Sequence, residues 1–176
     1  MVDLWRDLPC CDEEGDVVNA VIEISKGSLN KYELDKKTGL IKLDRVLRGP
    51  FYYPADYGLI PQTYGDDNDP LDVLILSTEP LMPGSLVKVR IIGVMHMVDS
   101  GEQDDKLIAV VADDFRWDHV KSLEDVGEAK LQEMKYFFEH YKDLQNKKVE
   151  VTGFGDKKKA LDVLDYAVKR FKEEKP

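Results

Sequence analysis

The feature that most limits the possible folds is a change of period along the chain. Up to about residue 112 the apolar residues come in short runs or alternate with polar ones, and from Asp125 they recur every three to four positions. Alternation puts successive side chains on opposite faces of a strand, whereas the longer spacing draws one stripe along a helix. VVNAVIEI (17–24), with Glu23 set inside it, reads as a strand, as do VLIL (73–76) and LIAVVA (107–112). NKYELD (30–35) and LIKLD (40–44) alternate around KKTG, whose Gly39 ends a turn, so they form a hairpin. LVKVRIIGVM (86–95) follows a Pro83–Gly84 turn and carries Val87, Val89 and Ile91 on one face, with Lys88 and Arg90 expected on the outer one. Asp125 and Glu128 suit the start of a helix, with a capping acceptor and a carboxylate in the first turn. Leu131, Met134, Phe138 and Tyr141 form its stripe, residues 147–154 return to extended chain, and a last helix starts near Lys157. The expectation is an α+β fold in which five or more short strands make a barrel or curled sheet with helices against it. The 176 residues fill one domain, 1–176, and are short for two.

Charge narrows the function. The chain holds 35 acidic and 25 basic residues, a formal charge of −10, which argues against nucleic acid or an anionic membrane as partner. An anionic substrate would need metal ions or a local cluster of Lys and Arg. No run approaches the ~18 to 20 apolar residues of a membrane span. MVDLWRDLPCCDEEGD lacks the basic start and apolar run of a secretion signal, so the expected location is cytoplasmic. Cys10 and Cys11 are adjacent, a spacing that rarely bridges, and two thiols alone make no zinc site, so reduced thiols are expected.

YGDDNDPLDVLIL (64–76) crowds Asp66, Asp67, Asp69 and Asp72 against an apolar run. Like charges at this range repel unless something positive offsets them. Hard divalent cations bind through carboxylate oxygens, and a loop stiffened by Pro70 and based on a buried strand can hold more than one. An acidic turn and an isolated metal site are the competing readings. An EF-hand is not, because positions 6 and 12 counted from Asp67 are Asp72 and Thr78 where Gly and Glu are needed. A second acidic loop, DSGEQDDK (99–106), again lies between apolar strands and ends in Lys106. Two such loops in one small β domain can face the same pocket. Lys31 and Glu33, two apart on one strand, point to the same side. Four tyrosines lie in residues 52–65, His96, His119 and His140 have no metal-ligand spacing, and neither a P-loop nor Gly-x-Ser-x-Gly occurs.

DNDPLDVL (67–74) resembles the D-[SGDN]-D-P-x-D-hydrophobic signature of the soluble family I inorganic pyrophosphatases, and the likeness runs from VIEI (21–24) to FFEHYKDL (137–144). The resemblance implies a closed five-stranded β-barrel of the oligonucleotide-binding type, with flanking helices and additional short strands. It implies hydrolysis of pyrophosphate to two orthophosphates with several Mg²⁺ ions, and a homo-oligomer, hexameric in related short forms. By the same resemblance Asp67, Asp72, Asp99 and Asp104 bind metal and Asp69 takes a proton from the attacking water. Lys31, Arg45, Tyr57, Lys106, Tyr141 and Lys142 bind phosphate, Glu23 and Glu33 complete the acidic wall, and Tyr53 and Lys148 line the rim. Asp104, two residues before Lys106, is the expected ligand, with Asp105 an extra carboxylate. Two rivals are a non-catalytic oligonucleotide-binding barrel, disfavoured by the acidic balance, and an enzyme of another phosphoanhydride.

Overall fold

The structure is a computed structural model and describes residues 2–11, 15–174 and 176. In chain order its strands are β1 (Val17–Ile24), β2 (Asn30–Asp35), β3 (Leu40–Val46), β4 (Asp56–Leu59), β5 (Asp72–Leu76), β6 (Leu86–Asp99), β7 (Glu102–Gln103), β8 (Lys106–Val111) and β9 (Val149–Gly155). The helices are α1 (Leu123–Val126), α2 (Glu128–His140) and α3 (Lys157–Glu174).

Five strands close into a ring in the order β1, β4, β5, β8, β6 and back to β1, with β7 and β9 added along β6. This is the five-stranded architecture with flanking helices that the sequence led us to expect. Four of the ring's pairings are antiparallel and one, β5 with β8, is parallel. In that parallel pair Asp72 stands opposite Lys106, each at the first residue of its strand. The loops that precede the two strands, both acidic, therefore enter from the same end of the ring. An antiparallel pairing over this length would separate them by roughly 15 Å at about 3.3 Å per residue.

The core follows from strand alternation. Val73 and Ile75 of β5 join Leu107 and Ala109 of β8 in an aliphatic cluster under Ala160, Leu164 and Ala167 of α3. Leu74, Leu76, Ile108 and Val110, one position out of step, pack in a second cluster with Met134, Phe137 and Phe138 of α2 and with Tyr53 and Tyr57. Each fully buried aliphatic or aromatic side chain contributes on the order of 1.5–3 kcal/mol. β2 and β3 stand apart as the expected hairpin, a separate two-stranded sheet whose β2 residues are all half-buried. A hydrogen bond from the Leu34 backbone N–H to Glu23 Oε1, 2.7 Å, ties this hairpin to β1.

Three features differ from the sequence reading. β4 lies in the tyrosine-rich segment, which shows no aliphatic alternation, and it depends on Gly58, where a Cβ would sit 2.1 Å from the Val21 carbonyl oxygen. Asp125 does not cap the long helix. Its carboxylate accepts the N–H groups of Lys121 (2.8 Å) and Ser122 (3.0 Å) at the start of the one-turn α1. Gly127, with φ of +87°, then separates α1 from α2. Arg90 is not a solvated outer-face cation. It is half-buried and donates from Nη2 to the carbonyls of Trp117 (3.0 Å) and Val120 (3.2 Å), tying the 115–120 segment to β6. Cys10 is buried, Cys11 is exposed, and both are free thiols. Among the described residues no helix is long and apolar enough to cross a membrane.

Candidate active site

The first acidic loop is built before any ligand is considered. Thr63 is fully buried; its hydroxyl donates to the Ile60 carbonyl (2.6 Å) and accepts the Leu71 N–H (2.8 Å), pinching the loop at its base. Inside the loop Gly65 N–H donates to the Asp69 carbonyl (2.8 Å), and Asp67 Oδ1 accepts the Asp69 N–H (3.1 Å). Asn68 takes the left-handed conformation at φ +65°, which asparagine tolerates better than most residues. From α3, Arg170 donates to the Gly65 carbonyl (2.5 Å) and to Asp66 Oδ1 (3.1 Å), which turns Asp66 toward the helix.

The remaining carboxylates of this loop face a cavity of about 430 Å³, and so do Asp99 and Asp104 of the second loop. The hairpin supplies Lys31, Glu33 and Asp35, β1 supplies Glu23, β8 supplies Lys106, and the end of α2 supplies Tyr141 and Lys142. The lining holds eight carboxylates (Glu23, Glu33, Asp35, Asp67, Asp69, Asp72, Asp99, Asp104) and six lysines (Lys31, Lys36, Lys37, Lys42, Lys106, Lys142), an acidic excess. A second cavity, about 320 Å³, lies behind Asp67, Pro70, Asp72 and Asp104, which it shares with the first. Among the described residues no lysine or arginine lines it, so the cationic side chains gather on the larger one.

Lys106 is the hub. Its side chain is 3% exposed, and its ammonium donates to Asp72 Oδ2 (2.7 Å), Asp104 Oδ1 (2.8 Å) and the Tyr57 hydroxyl (3.0 Å). Burial alone would lower its pKa, but the Asp104 and Asp72 carboxylates outweigh burial and keep it charged. Asp72 also accepts from the Tyr57 hydroxyl at 2.5 Å, yet burial and the Asp104 charge leave its pKa raised. Burial and Asp72 push Asp67 up to about 6 and Glu23 up to about 8. Asp99 differs: burial would raise it, but its hydrogen-bonded ion pair with Lys142 holds it below the ordinary value. Lys31 bonds Asp44 (3.1 Å) and Glu33 (3.2 Å), and these carboxylates outweigh burial to raise its pKa. Burial raises the phenols of Tyr57 and Tyr141, which keeps them protonated as neutral donors.

Three expected residues lie off the cavity wall. Arg45 donates to Asp44 Oδ2 (2.8 Å) and Gln145 Oε1 (2.9 Å) and is the cross-strand partner of Lys31, with which it shares Asp44. Tyr53 is 3% exposed and packs edge-on against Tyr57, with ring centres 5.7 Å apart. Lys148 is exposed beside Glu150 at 3.6 Å. Asp105 bonds His96 Nδ1 at 2.9 Å and lines the rear cavity, whereas Asp104 lines both. The sequence reading missed Trp5, Asp35, Lys36, Lys37 and Lys42 among the wall residues. Strand alternation from Lys31 and Glu33 could have found Asp35; Trp5 and Lys36 reach the site by tertiary packing and leave no local signal.

The donor set is of hard oxygens. Among the described residues no three acidic, histidine or cysteine side chains converge as a closed metal cage. Ions such as Mg²⁺ need none, since they take one or two carboxylates and fill the remaining positions with water and substrate phosphate. The carboxylate excess and the upward-shifted Asp67 and Asp72 suit such a cation.

The family described as inorganic pyrophosphatase matches residues 20–172. The inorganic pyrophosphatase of Thermus thermophilus is 49% identical over 170 residues, covering 95% of this chain and 97% of that protein. That of Geobacillus stearothermophilus is 48% identical over 162 residues, covering 92% and 98%. The crystal structure of the Thermus thermophilus inorganic pyrophosphatase superposes with a TM-score of 0.94 at 48% identity, covering 97% of this chain and 99% of that one.

Proposed function

The chain belongs to the inorganic pyrophosphatase family and is a metal-dependent hydrolase of inorganic pyrophosphate, and we propose that the front cavity is where it works, with Mg²⁺ as the metal and Asp69 as general base. The observation that carries this reading is that Asp67, Asp69 and Asp72 share one cavity with Asp99 and Asp104 and with the ammonium groups of Lys31, Lys106 and Lys142. Asp67, Asp72, Asp99 and Asp104 would hold the cations. Bound Mg²⁺ would acidify a water and screen the phosphate oxygens.

The side chains do the rest. Phosphoryl transfer is mainly positioning and charge neutralisation, so the chain must collect cations around a strongly anionic substrate. Lys31 and Lys142, each set beside carboxylates, offer ammonium hydrogens to phosphate oxygens, and Lys106, whose three hydrogens bond Asp72, Asp104 and Tyr57, would turn one to phosphate once metal takes those carboxylates. Tyr141 adds a neutral donor, and Tyr57, whose hydroxyl donates to Asp72, would add a second once metal takes that carboxylate. Asp69 Oδ2 accepts the proton as the water attacks, while Asp67, bonded to the Asp69 N–H, holds the backbone beneath it. Arg45, the cross-strand partner of Lys31, would add a guanidinium for phosphate, and Tyr53 supports Tyr57. We further read residues 1–176 as one catalytic domain, acting in the cytoplasm as a homo-oligomer, a hexamer by family resemblance.

Phosphate release from pyrophosphate and from ATP, each with Mg²⁺, tests the substrate. Turnover of pyrophosphate at least a hundredfold faster supports the reading; equal rates would sink it.

A further inference from the structure

Each cavity lysine with a described partner answers to a particular acid. Lys106 bonds Asp72 and Asp104, Lys142 bonds Asp99, and Lys31 bonds Glu33 and Asp44. Among the described residues the cation on Asp69 is Lys36, the first residue after β2. Its ammonium donates to Asp69 Oδ1 and, at 3.1 Å, to the Asn68 carbonyl, so it grips the base and the residue before it together. The same ammonium lies 4.9 Å from the centre of the Trp5 ring. Trp5 is 1% exposed, and its indole N–H donates at 2.8 Å to the carbonyl of Thr63, the residue that pinches the loop shut. Lys36 is thus seated on a buried ring anchored to the base of the very loop whose tip it holds.

We propose that Lys36, seated on Trp5, is a positioning residue for the reaction: it occupies Oδ1 of Asp69, fixes that carboxylate's rotation, and leaves Oδ2 as the oxygen presented to the attacking water. This rests on the reading of Asp69 as the base. The contact is half-exposed, so it adds little to stability, and its consequence is orientation. Catalysis depends steeply on the placement of reacting atoms, and small misplacements of a catalytic group are costly. Because Lys36 acts through Asp69, its loss should appear in kcat and leave substrate binding alone.

The test is steady-state pyrophosphate hydrolysis with saturating Mg²⁺ by Lys36→Gln, Lys36→Arg, Asp69→Asn and the Lys36→Gln/Asp69→Asn double variant, with thermal melts on each. The expected result is a kcat lowered about tenfold in Lys36→Gln at an unchanged KM, with most of it regained in Lys36→Arg. In the Asp69→Asn background Lys36→Gln should cost nothing further. A Lys36→Gln kcat within twofold of wild type, a loss seen mainly in KM, or an equal loss in the Asp69→Asn background would each overturn the positioning role. Wild-type turnover by Asp69→Asn would instead overturn the base assignment, and the positioning role with it.

Discussion

The two acidic loops reach the same cavity but are built in opposite ways. The loop before β5 is fixed through its backbone: Thr63 closes its base, Arg170 holds Gly65, and internal bonds set Asp69. Of its carboxylates in the cavity, Asp67 is pushed up to about 6 by burial and by Asp72. The loop before β8 is fixed through its side chains, Asp99 by Lys142 and Asp104 by Lys106. The first loop therefore presents Asp67 on a rigid frame beside an Asp69 and an Asp72 that each hold a lysine from another element, Lys36 and Lys106. The second holds each of its cavity carboxylates against an ammonium group, Lys106 at its own end and Lys142 from the end of α2.

The largest effect expected from breaking this arrangement is at the proton acceptor of the first loop. Asp69→Asn should lower kcat by about 10²–10⁴-fold with an unchanged melting profile, the usual contribution of a positioned general base. Steady-state hydrolysis and calorimetry on the same sample check it. Next comes Lys106→Met, which leaves two half-buried carboxylates without their shared, buried cation. Breaking a buried pair costs about 3–5 kcal/mol, to be read from urea unfolding in chelator. If the two loops were independent, this change would spare the affinity of the first for Mg²⁺; a shared cavity predicts that the affinity alters.

A finer test separates neighbours within the second loop. Asp104→Ala should weaken tight Mg²⁺ binding by about 10–100-fold and Asp105→Ala by far less, because Asp105 is turned to His96. Isothermal titration distinguishes them, and a larger loss in Asp105→Ala would reverse the assignment. The smallest effect concerns Glu23, held at about 8 by burial and Asp72. Between its ordinary value of 4.5 and about 8 the folded chain keeps a proton that the unfolded chain releases. The stability this provides is complete below the ordinary value and is lost as pH rises toward about 8. Glu23→Gln keeps an acceptor for the Leu34 N–H but cannot titrate, so its urea midpoint in chelator should gain on wild type as pH rises. A gap that stays constant with pH would contradict the assigned burial.

How much of this was legible depended on how local the cause was. The strands at 17–24, 73–76, 86–95 and 107–112 could be read because each carries its own pattern, and the acidic loops because their charges are adjacent in sequence. β4 could not, since its four residues owe their conformation to Val21 crossing Gly58. Arg90 alternates like a surface residue, and only the 115–120 segment folding over it shows otherwise. The roles of Arg45 and Lys148 followed from resemblance alone, since neither position carries a pattern of its own in the sequence. Lys36 was unreadable for the converse reason: nothing between residues 36 and 69 announces that they meet.

The parallel pairing of β5 with β8 has a last consequence, for refolding. A slip of one residue between these strands would turn every side chain of one strand to the opposite face, carrying Lys106 away from Asp72. Enzymatic assay of a renatured preparation therefore counts the molecules whose ring has closed in step, which circular dichroism, blind to such slips, would overstate.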